Sequence, residues 1–493
     1  MVFSSIAFLF VFLPITLGLY YLLSVRYRNL LLLGASLIFY AWGEPIYIAL
    51  MLVSIMFNWA VGLMMAHAPR KRIEFAILGT GVTINLLVLA HYKYAHFLIT
   101  SFNSLVGPVI HHTITTQQLP LPVGISFFTF HAISYLVDIY RRQAQALKNP
   151  LDMGLYISLF PQLVAGPIIR YHDVAEQILR RNNTLERFSS GVERFVFGLG
   201  KKVLIANTLG QIADQAFNTP AGTLSASSAW IGIICYTLQI YFDFSGYSDM
   251  AIGLARMFGF ELTENFNYPY ISRSVREFWR RWHLSLSTWF RDYLYIPLGG
   301  NRGSGLRVRL NLFAVFFLCG LWHGASWNFA IWGIYHGVLL IIERGRFGKL
   351  IDNSPAVVST AYTVLMVMIG WVFFRADTFS GAIAYLRAMF LGGAASGLTP
   401  QIAAMLDSQA IFTIGLAFLL STPAFIYMSR DWADRRYPSH AHEPLPGWVR
   451  NLAIEGDSAI VMSVRSLSTA LILLLCIAGL ATTTYNPFIY FRF

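Results

Sequence analysis

The chemistry of this chain is read first from one histidine set between two apolar runs. His323 stands in Leu321-Trp322-His323-Gly324. Imidazole takes a proton near neutral pH, and a hydroxyl nucleophile needs a base to lose its own. His323 is therefore a candidate general base, with Trp322 beside it to wall off water. The run before it, residues 310–321, follows basic residues 302–309; the run after it, residues 326–342, ends at Glu343-Arg344-Gly345-Arg346. Basic flanks on both start the two runs from one membrane face, which puts His323 at the bend of a hairpin, past the bilayer middle. A titratable side chain at that depth is expensive and marks function. The plainer reading is a histidine that hydrogen-bonds across helices.

A second group is Arg276-Glu277-Phe278-Trp279-Arg280-Arg281-Trp282-His283. On a continuous helix Arg276, Arg280 and His283 share a face. Guanidiniums grip phosphate and indoles stack on rings, so the cluster suits a phosphorylated, base-containing donor. An interfacial helix holding anionic headgroups explains the same residues equally well. A third stretch, Asp243-Phe244-Ser245-Gly246-Tyr247-Ser248-Asp249, places two acids and a glycine in an apolar run and reads as a break. Ser248 or Asp249 there caps a new helix over residues 250–260. A metal site is not indicated: His283 and His323 lack a close third ligand, an H-E-x-x-H or a CxxC. Cys235, Cys319 and Cys476 all lie in apolar runs and read as small buried hydrophobes.

The elements that position these groups are membrane helices. The chain is 56% hydrophobic and 12% charged, with apolar runs nearly end to end, which marks an all-α polytopic membrane protein rather than a β-barrel. The formal net charge of +12 does not point to nucleic acid, because the basic residues sit in short loops between spans. Candidate spans cover residues 6–24, 29–43, 46–66, 73–91, 120–139, 192–209, 228–242, 310–322, 326–342, 356–374, 410–429 and 467–484. That makes eleven or twelve transmembrane helices. Alternating them with the N-terminus outside puts every cluster of basic loop residues in the cytoplasm. Residues 151–169 and 284–298 are apolar but broken by proline, glycine or charge, and read as re-entrant or interfacial pieces. Irregular backbone at depth needs protein or a water-filled cavity around it, so the chain is expected to enclose one. Residues 430–465 read as a cytoplasmic loop and 467–493 as a last helix with an aromatic tail, all within one membrane domain whose catalytic core spans about 120–345.

Three blocks carry a resemblance. YFDFSGYSDMAIG, ENFNYPYISRSVREFWRRWHLSLSTWFRDYLYIPLGGNR and GLWHGASW closely resemble the membrane-bound O-acyltransferase family in its bacterial alginate O-acetyltransferase branch. The likeness extends to MVFSSIAFLF, LPVGISFFTFHAISYLVDIYR and LFPQLVAGPIIRY, and weakens in the C-terminal third. It implies that His323 is the catalytic histidine and His283 its partner. It also implies a tunnel through an inner membrane, with the acyl donor entering from the cytoplasm and the acceptor from the other side. The expected donor is acetyl-CoA as a substrate, with no bound cofactor. Arg276, Trp279, Arg280, Arg281, Asn301 and Trp322 are the donor-binding candidates; Asn301, Trp322 and Trp327 are also candidates to stabilise the tetrahedral oxyanion. Expected partners are membrane lipids and a periplasmic SGNH-type acetyltransferase that passes acetyl to an exported polysaccharide: alginate first, cellulose or peptidoglycan as alternatives. Broken helices and buried polar residues also fit a transporter or flippase of a polymer-export system. The tail, Asn486-Pro487-Phe488-Ile489-Tyr490-Phe491-Arg492-Phe493, resembles an aromatic-tyrosine motif of a small subunit in D-alanylating relatives. That likeness makes Tyr490 a candidate covalent relay, where composition alone reads an interfacial anchor.

Overall fold

The computed structural model describes residues 1–220, 222–392, 396–424, 459–482 and 485–487. Among these every regular element is a helix, and the described part of each of the twelve apolar runs is mainly helical. Ile48–Ala66, Lys71–Lys93, Gly305–His323, Ala356–Arg375 and the stretch Ser463–Thr482 are long and apolar enough to cross a bilayer. Phe8–Leu22, Ile125–Tyr140, Phe379–Leu391 and Ser408–Leu420 are shorter apolar helices. This is a multi-pass membrane protein. Many large apolar side chains on its outer helices are exposed, Leu22, Val53, Phe75 and Val357 among them, as a lipid-facing surface requires.

The interior is built on two helices that carry little lipid-facing surface. Ile125–Tyr140 is buried on nearly every side. Ala226–Met257 runs for 32 residues as one helix and is buried along most of its length. The expected break at Asp243–Asp249 is absent. Its cap is Ser225, whose side chain accepts from the Ser228 amide, and neither Ser248 nor Asp249 starts a helix. The two acids stay in the helix because buried cations meet them. Lys202 lies 2.8 Å from Asp243, and Asp249 is held by Lys201 at 2.6 Å and Arg194 at 2.8 Å. Those cations sit on Leu185–Gly200 and the π-helical turn Lys201–Ala206 that continues it. The approach is close enough only because glycines face each other: a Cβ on Gly198 would meet the Gly246 carbonyl at 2.6 Å.

The two broken segments are short helices, the first buried and the second turning outward after residue 290. Pro150–Ser158 and Phe160–Leu163 are followed by irregular backbone that is buried through residue 169. Leu284–Phe290 passes into the π-helical turn Arg291–Tyr295, where Asp292 pairs with Arg170 at 2.6 Å.

Candidate active site

The Gly305–His323 and Trp327–Glu343 helices form the expected hairpin. The first begins five residues earlier than its apolar run, taking in Arg307 and Arg309. Its 19 residues span roughly 28 Å. Gly320 and Gly333 bring the two helices into contact: a Cβ on Gly320 would lie 2.3 Å from the Phe329 carbonyl, and one on Gly333 2.3 Å from that of Phe316. Gly333→Val is therefore expected to lower both the level of folded protein and the activity, since backbone has no room to yield. Gly415→Ala, where a Cβ meets nothing within 4 Å, is the control. Membrane levels and activity measured together check the pair.

At the bend His323 is buried in an aromatic cage. Trp332 and Phe374 present edges to its ring at centroid distances of 5.1 and 5.2 Å, and Trp322 at 5.0 Å. His283 lies 6.3 Å away, ring to ring. The sequence reading put His283 on a helix face with Arg276 and Arg280, but that helix is only Val275–Trp279. His283 instead adopts φ +46°, a left-handed conformation costing about 1–3 kcal/mol in a non-glycine residue and held where surroundings demand it. It is 0% exposed, against the Phe244 ring, and neither ring nitrogen has a hydrogen-bond partner. The indole N–H groups of Trp322 and Trp332 are likewise buried without partners. Unpaired buried donors beside a buried imidazole are a costly arrangement that a bound substrate would relieve.

Two cavities approach this cage. A large one of about 890 Å³ is lined by residues 91–100 and 117–121, by Gly324–Ser326 and by Arg375–Asp377. A smaller one of about 160 Å³ is lined by Lys93, Ser126, Trp322 and His323 among others. Both lie at the helix ends opposite the basic residues 70–72 and 302–309.

The remaining sequence candidates do not gather here. Arg276 pairs with Asp352 at 3.2 Å, and the Val275 and Arg276 amides donate to Glu343. Arg281 pairs with Glu277 at 2.8 Å. Trp279 is interior, its indole donating to His336 Nδ1 at 3.4 Å. Arg280 alone of these is exposed. Asn301 is exposed at the opposite end of the Gly305–His323 helix, accepting from Tyr295 and Arg344; the helix length excludes it from the oxyanion. Trp327, 54% exposed, packs on Phe97. Tyr490 lies outside the described residues, though the tail just before it is tied down: Tyr485 donates to Asp214 at 2.7 Å and Asn486 to the Ser4 carbonyl at 3.0 Å.

The sequence reading missed Lys93, Trp332 and Phe374. Lys93 had a signal, being a cation that closes an apolar run on the face that the positive-inside rule keeps poor in them. Trp332 and Phe374 had none, since only the tertiary fold brings them to His323.

The model of MBOAT, the membrane-bound O-acyltransferase family, matches residues 82–375, a range that contains the hairpin, both histidines and the cage. This chain belongs to the membrane-bound O-acyltransferase family. It is an O-acyltransferase. Among its relatives in that family, the probable alginate O-acetylase AlgI of Pseudomonas putida is 44% identical over the full length of both chains. AlgI of Azotobacter vinelandii is 42% identical, again over the full length of both. The peptidoglycan O-acetyltransferase of Helicobacter pylori is 37% identical over 79% of this chain and 80% of its own.

Proposed function

We propose that this membrane-bound O-acyltransferase takes acetyl from acetyl-CoA at the cytoplasmic face of an inner membrane and delivers it outward for O-acetylation of an exported polysaccharide. The names of its full-length relatives favour alginate. The observation that carries the reading is His323 itself, a caged imidazole bordering a cavity at the helix ends opposite the basic residues 302–309. In this mechanism His323 removes the proton from an acceptor hydroxyl, whose oxygen attacks the thioester carbonyl. The C–S bond then breaks, and the proton passes from His323 to the departing thiolate. In this reading the unpartnered indoles of Trp322 and Trp332 donate to the tetrahedral adduct, and His283 positions the donor. A periplasmic SGNH-type acetyltransferase is, in this reading, the first recipient of the acetyl group.

Purified protein given acetyl-CoA and a hydroxyl acceptor should release free coenzyme thiol. A transporter would release none. On the donor side, Arg280→Ala with Arg281→Ala is expected to raise the KM for acetyl-CoA by roughly tenfold, the equivalent of ~1.4 kcal/mol. A truncated thioester lacking the nucleotide should be affected far less, since only phosphate contacts are lost. Equal effects on both donors would assign the pair to lipid anchoring instead.

A further inference from the structure

Lys93 ends the apolar helix Lys71–Lys93 and turns its ammonium inward. Its Nζ donates to the Trp322 carbonyl, next to His323 in the chain, and to Ser126 Oγ at 3.2 Å. It also lies 5.9 Å from the centre of the Trp322 ring. Tyr94 reinforces the arrangement by donating to the Leu321 carbonyl at 2.9 Å. Among the described residues no carboxylate pairs with Lys93, whereas the other interior cations, Arg194, Lys201, Lys202 and Arg375, each have one. Arg375, the other Lys or Arg side chain lining the large cavity, is bound to Asp214 at 2.6 Å. A cation set among neutral groups costs several kcal/mol in a low-dielectric interior and is retained where negative charge arrives in function.

Position says which negative charge. Lys93 and Leu121 are the two residues that line both cavities, so the ammonium stands at the neck between the large cavity and the smaller one reaching His323. Of its three N–H groups two are used by neutral acceptors, and the third is left for the cavity. We propose that Lys93 is a further catalytic residue, whose ammonium stabilises the oxyanion formed when the acceptor oxygen adds to the acyl carbonyl beside His323. The inference rests on the acyl-transfer reading given above. The step balances without another reactant: the new C–O bond places negative charge on the carbonyl oxygen, Lys93 stabilises it without giving up a proton, and collapse expels the thiolate that His323 protonates. A neutral indole N–H helps such an oxyanion; a positive charge helps more. The Trp322 carbonyl and Ser126 hold the ammonium in place, so little reorganisation is needed at the moment of reaction.

The test is Lys93→Gln in the purified full-length protein, with acetyl-CoA and two acceptors of equal length, a neutral oligosaccharide and a uronate. Stabilisation of the oxyanion predicts a kcat lowered about 10²–10³-fold with both acceptors, with both KM values near wild type and partial recovery in Lys93→Arg. A defect confined to the KM of the uronate would overturn the proposal and make Lys93 a reader of acceptor charge. Wild-type kcat in Lys93→Gln would overturn it too, while leaving the His323 mechanism standing. An inactive wild-type protein would count against acyl transfer itself. Should Lys93→Gln fail to fold, Ser126→Ala decides: it frees the ammonium from one anchor and should lower kcat about tenfold at constant KM, and an unchanged kcat would refute the role.

Discussion

His323→Ala is expected to lower acyl transfer by about 10²–10⁴-fold, the range typical for loss of a general base, while the protein stays folded in the membrane. The expectation rests on how the side chain is held. Its backbone ends a helix whose packing is set by Gly320 and Gly333, not by the imidazole. Its ring is surrounded by Trp322, Trp332 and Phe374, which close part of the space an alanine leaves. The loss should therefore appear in kcat, with little change in the KM for donor, because the base acts only as the hydroxyl attacks. Thiol release by purified wild-type and variant protein at equal membrane levels measures it. Near-normal release by His323→Ala would remove this residue from the chemistry.

The second large effect concerns the frame rather than the site. Lys202→Met is expected to destabilise the protein by about 3–5 kcal/mol, the cost of leaving one member of a buried ion pair without its partner. Lys202 and Asp243 are 2.8 Å apart, with side chains 3% and 1% exposed. Asp243→Leu alone should cost a similar amount, since it strands the ammonium. The double variant Lys202→Met with Asp243→Leu should recover most of the loss, because a packed apolar pair is often as stable as the ion pair it replaces. Thermal midpoints in one detergent compare all three. Additive losses would mean that the pair contributes through separate contacts, such as the bond from Lys202 to the Pro487 carbonyl.

This pair also marks the limit of what the sequence discloses. The place of His323 at a hairpin bend was legible because its signal is local: a polar residue between two apolar runs with basic flanks. That the chain is built of apolar helices was legible for the same reason. Asp243 and Asp249 were misread as a helix break because the cations that neutralise them lie on another helix, 48 and 55 residues away for the Asp249 bonds. Arg276 looked available to a donor because Glu343 and Asp352, 67 and 76 residues on, are invisible to local reasoning. His283 was assigned to a helix face because propensity gives no warning of a left-handed residue at a buried site. In each case the error lies in the charge or conformation that a distant segment imposes, not in the kind of element.

Sided reconstitution tests the central claim most directly. The protein is inserted into liposomes, and acetyl-labelled acetyl-CoA is supplied only to the face bearing the basic loops, with a membrane-impermeant hydroxyl acceptor only on the other. The account predicts acetyl ester on the far acceptor, one free thiol released on the donor side for each ester formed, and neither product with His323→Ala. Ester formation only when donor and acceptor share a face would contradict it.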